Sequence, residues 1–253
     1  MAETAYNGKK RFRRSRGPVG VDGEANRAKE GNTMEKSARG AVRAVVFDMD
    51  GTLLDTEKLY MRFWLEAAQR MGYPMRPEHV LHIRSMAAMY AEPLLKREVC
   101  PDFDYCAVRD LRRDIMEAYI DEHGVEPKPG MLETLEAIRE RGLRIGLATA
   151  TEEPRARKYL AMVGAEGYFD AITCASMVSR GKPAPDIYLL AARRLGVNPC
   201  EAIAVEDAPS GIRSAYDAGL IPVMVPDQDQ PDEATRALCR AVVPSLCGVL
   251  ALL

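Results

Sequence analysis

Large apolar side chains are almost absent from residues 1–40 and then arrive in blocks with distinct periods. Val42 to Phe47 is a short apolar run rich in β-branched residues, closed by Asp48 and followed by a Gly51-Thr52 turn signal, which predicts a fully buried strand. From Thr56 to Met71 the apolar residues Leu59, Phe63, Trp64, Ala67 and Met71 recur at helical spacing. Thr56 stands where a first turn is capped and Gly72 lies beyond the last turn, so a helix is expected. Between Pro74 and Gly130 further helices are predicted near 77–82, 85–98 and 104–123, with no β-branched run to suggest a strand.

After Pro129-Gly130 the period alternates. Helix 130–141, strand 144–148, helix 152–163, strand 170–173, helix 185–195, strand 201–205, helix 209–218 and strand 220–225 follow in turn, and residues 232–252 add a helix, a short strand and a closing helix. Such alternation implies right-handed crossovers and a parallel sheet covered on both faces. The expected fold class is α/β: a Rossmann-like parallel sheet core with helices on both faces, plus a small all-helical cap. The corresponding division is a leader at 1–40, a catalytic core from 41–55 and 128–253, and a cap at 56–127.

The leader is rich in Gly, Arg, Lys, Asn and Glu, and cannot offset its ordering entropy by burial, so disorder is expected there. Its run KKRFRRSR at 9–16 matches a basic interaction tail, but short basic runs arise often by chance and a solvated leader is the simpler reading. Met34 could equally begin the folded protein.

With 253 residues, 47% of them hydrophobic, the chain can bury a substantial core. A formal net charge of -2 leaves no global basic field for nucleic acid or an anionic membrane. Nothing approaches the roughly 18 uninterrupted apolar residues of a membrane helix, and no apolar secretory signal opens the chain. A cytoplasmic monomer with no nucleic-acid or membrane partner is therefore expected. The six cysteines show no C-x-x-C pair and no histidines at zinc-ligand spacing, and are read as reduced, mostly buried thiols.

Ligands of a parallel α/β sheet bind outside the C-terminal strand ends. Here those ends carry Asp48 and Asp50, then Thr149, then Lys182 beyond the third strand's loop, and Glu206-Asp207. A lone D-x-D is weak, and its bland reading is an exposed acidic turn. Acids converging from several strand ends would instead repel one another unless Lys182 and a divalent cation intervened. Carboxylates with waters and substrate oxygen suit octahedral Mg2+.

The strings FDMDGTLLDTE at 47–57, LATAT at 147–151, GKPAPDIY at 181–188 and VEDAPSG at 205–211 together resemble the four motifs of the haloacid dehalogenase superfamily. The cap inserted after the first motif is similar to that of the subgroup holding β-phosphoglucomutase and small sugar-phosphate phosphatases. The resemblance implies a magnesium-dependent phosphatase in which Asp48 attacks phosphorus and forms an aspartyl-phosphate, and Asp50 is the general acid and then the general base. It further implies that Thr149 and Ala150 hold phosphoryl oxygens at a helix N-terminus, and that Lys182 neutralises transition-state charge. Asp48, Asp207 and the Asp50 backbone carbonyl would ligate Mg2+, with Glu206 acting directly or through water.

The cap is expected to open and close about hinges near Asp55 and Pro127-Gly130, excluding water. Arg84 is the candidate cap contact to substrate oxygens, against the alternative of an Arg on a solvated helix face. His79, His82 and His123 fall in the insertion and read as surface or packing residues. Tyr60 stands where phosphoglucomutase-like sequences carry a histidine, and Ser85 and alanines stand where they carry a further arginine, which favours hydrolysis over a phosphosugar mutase. A haloacid dehalogenase has no need of Asp50 or the metal acids, and a non-catalytic phosphometabolite-binding regulator would be expected to have lost one of the four central residues.

Overall fold

The computed structural model describes residues 41–253 apart from Ser85 and Asp229, so the expectation of a disordered leader falls outside the described residues. Strand β1 (Ala44–Phe47) is fully buried. Val45 and Phe47 pack into one apolar layer, Ala44 and Val46 into another, which is the period-two alternation of a strand covered on both faces.

Four helices follow β1: α1 (Glu57–Arg70), α2 (Pro77–Ile83), α3 (Ala88–Glu98) and α4 (Tyr105–His123). Then come α5 (Met131–Glu140), β2 (Arg144–Thr149), α6 (Glu153–Met162), β3 (Ala171–Cys174), α7 (Asp186–Leu195) and β4 (Ala202–Glu206). The chain continues through α8 (Pro209–Asp217), β5 (Ile221–Met224), α9 (Glu233–Leu238) and β6 (Ala241–Val242). The strands form one parallel sheet in the order β3-β2-β1-β4-β5-β6. Leu135 of α5 and Tyr159 of α6 pack on one face, Ile187 and Tyr188 of α7 and Ala215 of α8 on the other. Each large apolar side chain buried this way contributes roughly 1.5–3 kcal/mol. The sheet is thus the Rossmann-like one expected.

Its register positions the chemistry. Phe47 lies opposite both Leu147 and Val205, so the residues after β1, β2 and β4 emerge at the same sheet edge. This is also where the strand order reverses, the switch point at which such sheets bind ligands.

The insertion has an apolar centre of its own, in which Trp64 of α1, Leu95 of α3, Phe103 just before α4, and Tyr105 and Val108 in its first turn pack together. Its two connections to the sheet run side by side: Leu54 bridges Pro127, Asp55 N–H donates to the Glu126 carbonyl at 2.8 Å, and Lys128 N–H donates to the Leu53 carbonyl at 2.8 Å. Lys128 Nζ ties Asp55 (3.2 Å) to Asp227 (2.6 Å), and Lys58 Nζ reaches Asp55 at 2.7 Å.

Three local expectations are corrected. The helix expected from residue 85 begins at Ala88, because Ala87 is extended and its N–H donates to the Lys182 carbonyl at 3.0 Å. Thr56 does precede α1, but its hydroxyl makes no cap bond and donates to Asp50 Oδ1 at 2.8 Å. The cysteines are free, yet Cys174 at the end of β3 is the buried one, whereas Cys106, Cys200 and Cys247 sit on helix ends and turns and are exposed. Among the described residues no helix is long and apolar enough to cross a membrane.

Candidate active site

The turn after β1 sets the first two carboxylates. Asp48 N–H donates to the Val205 carbonyl at 2.9 Å, which extends the β1–β4 ladder by one residue, and the chain then turns through Gly51 at φ +85°. A side chain at Gly51 would be strained in that conformation, and its Cβ would stand 2.5 Å from Asp207 Oδ2. Asp48 and Asp207 can share a crevice because this turn carries no side chain.

The carboxylates of Asp48, Glu206 and Asp207 converge, with one oxygen from each lying within 4.8 Å of the others. All are buried, Glu206 and Asp207 completely. Lys182 Nζ bonds Asp48 Oδ1, reaches Glu206 Oε1 at 2.6 Å and donates to the Ala148 carbonyl at 3.0 Å. Tyr188, whose backbone position on α7 aims it at the sheet, donates its hydroxyl to Glu206 Oε1 at 2.5 Å. Asp48 Oδ2, Glu206 Oε2 and Asp207 Oδ2 are each buried without a hydrogen-bond partner among the described residues. Three such oxygens, hard and anionic, fit the donor set of a divalent cation such as Mg2+.

Electrostatics point the same way. Asp48, Asp50, Glu57, Glu206 and Asp207 are buried around the two buried cations Lys182 and Arg84, a negative surplus. Burial pushes the Asp48 carboxyl well above the usual carboxylate range against the pull of Lys182, with Glu206 and Asp207 adding to the rise. Burial likewise raises Asp207 to about 7, although Arg84 opposes it, and Glu57 is raised by burial and by Asp207. Lys182 is destabilised as a cation by burial, but Asp48 and Glu206 outweigh that and move it upward. A bound divalent cation would relieve this repulsion.

Asp50 is held differently. Its carboxyl accepts from the Thr56 hydroxyl (2.8 Å), the Thr151 hydroxyl (2.8 Å) and the Thr149 hydroxyl (3.5 Å), outside the three-carboxylate cluster. Thr149 is fully buried and also accepts from the Thr151 N–H at 3.0 Å, while Ala150 and Thr151 line the cavity. Arg84 is not on a solvated face. It is buried, with Nη2 3.7 Å from Asp207 Oδ2 and Nε 4.0 Å from Glu57 Oε2. Its carbonyl accepts from the Ser210 hydroxyl at 3.1 Å, so the Arg84–Ala87 loop touches the segments carrying both Lys182 and Asp207. His79 is buried, and its Nδ1 accepts from the Arg76 N–H, whereas His82 and His123 are exposed and none lines the cavity.

Sheet edge and insertion line a half-open cavity of about 370 Å3, reaching from Asp48 and Asp50 past Arg84 to Trp64 and Arg112. The size suits a small metabolite.

The haloacid dehalogenase-like hydrolase profile matches residues 42–219, which span β1 through the end of α8. The chain belongs to that family. A relative from Thermotoga maritima described as a phosphorylated carbohydrates phosphatase is 33% identical over 186 residues, covering 71% of this chain and 82% of its own. The fructose-1-phosphate phosphatase YqaB of Escherichia coli is 31% identical over 177 residues, covering 70% and 92%. Among solved structures, CbbY from Rhodobacter sphaeroides in complex with phosphate superposes with a TM-score of 0.68 at 25% identity, covering 82% of this chain and 96% of that one. A β-phosphoglucomutase from Clostridium difficile gives 0.69 at 25% identity, covering 81% and 92%. This haloacid dehalogenase-like hydrolase is accordingly an enzyme, with its motif residues assembled at one sheet edge.

Glu57, Thr151 and Tyr188 join the site without a signal in the sequence that marks them. Glu57 reads there as an acid favouring a helix N-terminus. Thr151 and Tyr188 stand inside the motif strings, and their hydroxyls gain meaning only once the carboxylates they touch are in place.

Proposed function

We propose that the protein is a magnesium-dependent phosphatase that hydrolyses a small phosphomonoester, such as a sugar phosphate, through an aspartyl-phosphate on Asp48. The observation that carries this reading is the division of labour between two neighbouring carboxylates. Asp48 is fixed by Lys182 within the acidic cluster, while Asp50 lies outside that cluster and is held by three hydroxyls.

Asp48 attacks phosphorus, the bond to the ester oxygen breaks, and that oxygen takes the proton of Asp50. Water then attacks the same phosphorus, giving its proton to Asp50, and the Asp48–phosphorus bond breaks to release inorganic phosphate. Thr149, Ala150 and Lys182 serve the phosphoryl oxygens, Lys182 by opposing the charge they gather. Asp48, Glu206, Asp207 and the Asp50 backbone carbonyl would hold Mg2+, which supplies further neutralisation of that charge. The segment 56–127 acts as the cap, with Arg84 as its link to the chemistry and paired linkers at Leu53–Asp55 and Glu126–Lys128 as hinges. Phosphatase relatives above 30% identity favour water as the acceptor.

The test is phosphate release from a panel of sugar phosphates, phosphoglycolate and nucleotides, with and without magnesium, for wild type and Asp48→Asn, alongside an assay for β-glucose 1-phosphate isomerisation. Magnesium-dependent release lost in Asp48→Asn is expected. Isomerisation without release would replace the phosphatase with a mutase, and inactivity in both assays would leave a binding regulator.

A further inference from the structure

Helix α7 turns Ile187, Tyr188, Ala191, Ala192 and Leu195 toward the sheet, the spacing of an amphipathic helix, and Tyr188 brings a hydroxyl into that apolar layer. The layer is rich in alanine, with Ala44, Ala148 and Ala204 contributed by three strands, which leaves room for a ring of this size. Tyr188 is fully buried, and a buried hydroxyl is costly unless it is hydrogen-bonded. Phenylalanine would fill the same space without that cost, so packing alone does not account for the oxygen.

The partner of that oxygen is Glu206 Oε1, at 2.5 Å. An ionised carboxylate only accepts, so the hydroxyl is the donor. Lys182 Nζ reaches the same Oε1 at 2.6 Å and lies 5.3 Å from the Tyr188 ring centroid. Both donors therefore converge on one oxygen of Glu206. The other, Oε2, has no hydrogen-bond partner among the described residues, and a Glu206 oxygen lies within 4.8 Å of oxygens from Asp48 and Asp207. Lys182 alone does not fix the rotation of this carboxyl, because an ammonium is a point charge on a flexible stem and this one also bonds Asp48 and the Ala148 carbonyl. The phenol is rigid by comparison. On the opposite side, a Cβ at Gly211 would stand 2.0 Å from Glu206 Cδ, so the carboxyl is confined between α7 and α8.

We propose that Tyr188 is a positioning residue for the metal: its hydroxyl holds Glu206 Oε1 so that Oε2 is the oxygen presented to Mg2+. This rests on the magnesium reading of the acidic cluster and adds to it a residue that does not itself touch the ion. Donors placed behind a ligand in this way govern metal affinity by about 10–100-fold.

The test is calorimetric titration of MgCl2 into the full chain without substrate, for wild type and Tyr188→Phe, which keeps the ring and the packing of the layer. Kd for Mg2+ should rise about tenfold or more. The magnesium-induced rise in Tm should shrink accordingly, and kcat should recover at saturating magnesium. A purely structural tyrosine would lower Tm equally with and without magnesium and leave Kd unchanged, and that result overturns the proposal. Incorporating 4-aminophenylalanine at position 188 returns a weaker donor to the same ring and should bring Kd part of the way back; a Kd that stays at the Tyr188→Phe value counts against the hydroxyl. Should Tyr188→Phe fail to fold, the 4-aminophenylalanine protein carries the test, with Kd expected above that of wild type and an equal Kd overturning the proposal. If wild type binds no Mg2+, the magnesium reading fails and takes the proposal with it, whereas equal binding by wild type and Tyr188→Phe removes only the role of Tyr188.

Discussion

Replacing Gly211 with alanine should destabilise this protein, against the usual direction of such a change. Gly211 lies in α8 outside the left-handed region, where Gly→Ala ordinarily adds about 0.5–1 kcal/mol. Here a Cβ would stand 2.0 Å from Glu206 Cδ and 2.1 and 2.2 Å from the two carboxylate oxygens. Glu206 cannot simply withdraw, because it is fully buried and pinned by the Tyr188 hydroxyl at 2.5 Å and by Lys182 Nζ at 2.6 Å. Overpacking costs about 1–3 kcal/mol, and losing one charge-assisted bond costs about 1.5–3 kcal/mol. Set against the helix gain, the net loss is about 1.5–5.5 kcal/mol, or a Tm lower by about 3–20 °C. Urea denaturation gives the stability, and a magnesium titration of activity should show a raised midpoint as Glu206 is displaced. Gly167→Ala is the control, since its Cβ would meet nothing within 4 Å. A Gly211→Ala protein as stable as wild type, with the same magnesium midpoint, would refute the reasoning.

Two further outcomes are expected. Lys182→Met removes the cation between Asp48 and Glu206, so kcat should fall by about 10^3 or more, and the metal-free protein should lose about 3–5 kcal/mol, partly regained on adding magnesium; activity within tenfold of wild type would contradict this. At the linker, burial raises the Asp55 carboxyl, but Lys58 and Lys128 together outweigh it and hold the group below its usual value. A depressed carboxylate stabilises the fold above its unfolded pKa and loses that contribution as pH falls through the folded value. The stability gap between wild type and Asp55→Asn, about 0.5 kcal/mol at about pH 6 by the usual worth of such pairs, should close toward about pH 3; a gap that widened on acidification would reverse the sign.

Much of this was legible in the sequence because it depends on local period and strand-end position. The Val42–Phe47 run, the later alternation of strand and helix, and the acids after the strands follow from burial on both sheet faces and from ligand binding at strand ends. The convergence of Asp48, Glu206 and Asp207 then follows from sheet register. What could not be read depends on contacts between distant segments. Thr56 looks like a helix cap until Asp50 is known to lie within 2.8 Å of its hydroxyl. Arg84 offers a solvated alternative until the insertion is folded against Asp207, which buries it. The α3 start shifted because Ala87 bonds Lys182, 95 residues away in sequence, rather than its own helix.

The central claim is that Asp48 carries the phosphoryl group. Acid quench during turnover of a phosphorylated sugar, followed by peptide mass spectrometry, would test it most directly. A magnesium-dependent phosphate adduct on the peptide containing Asp48, lost once the substrate is exhausted and absent in Asp48→Asn, is the predicted result. Phosphate release that persists in Asp48→Asn, or an adduct on another residue, would contradict it.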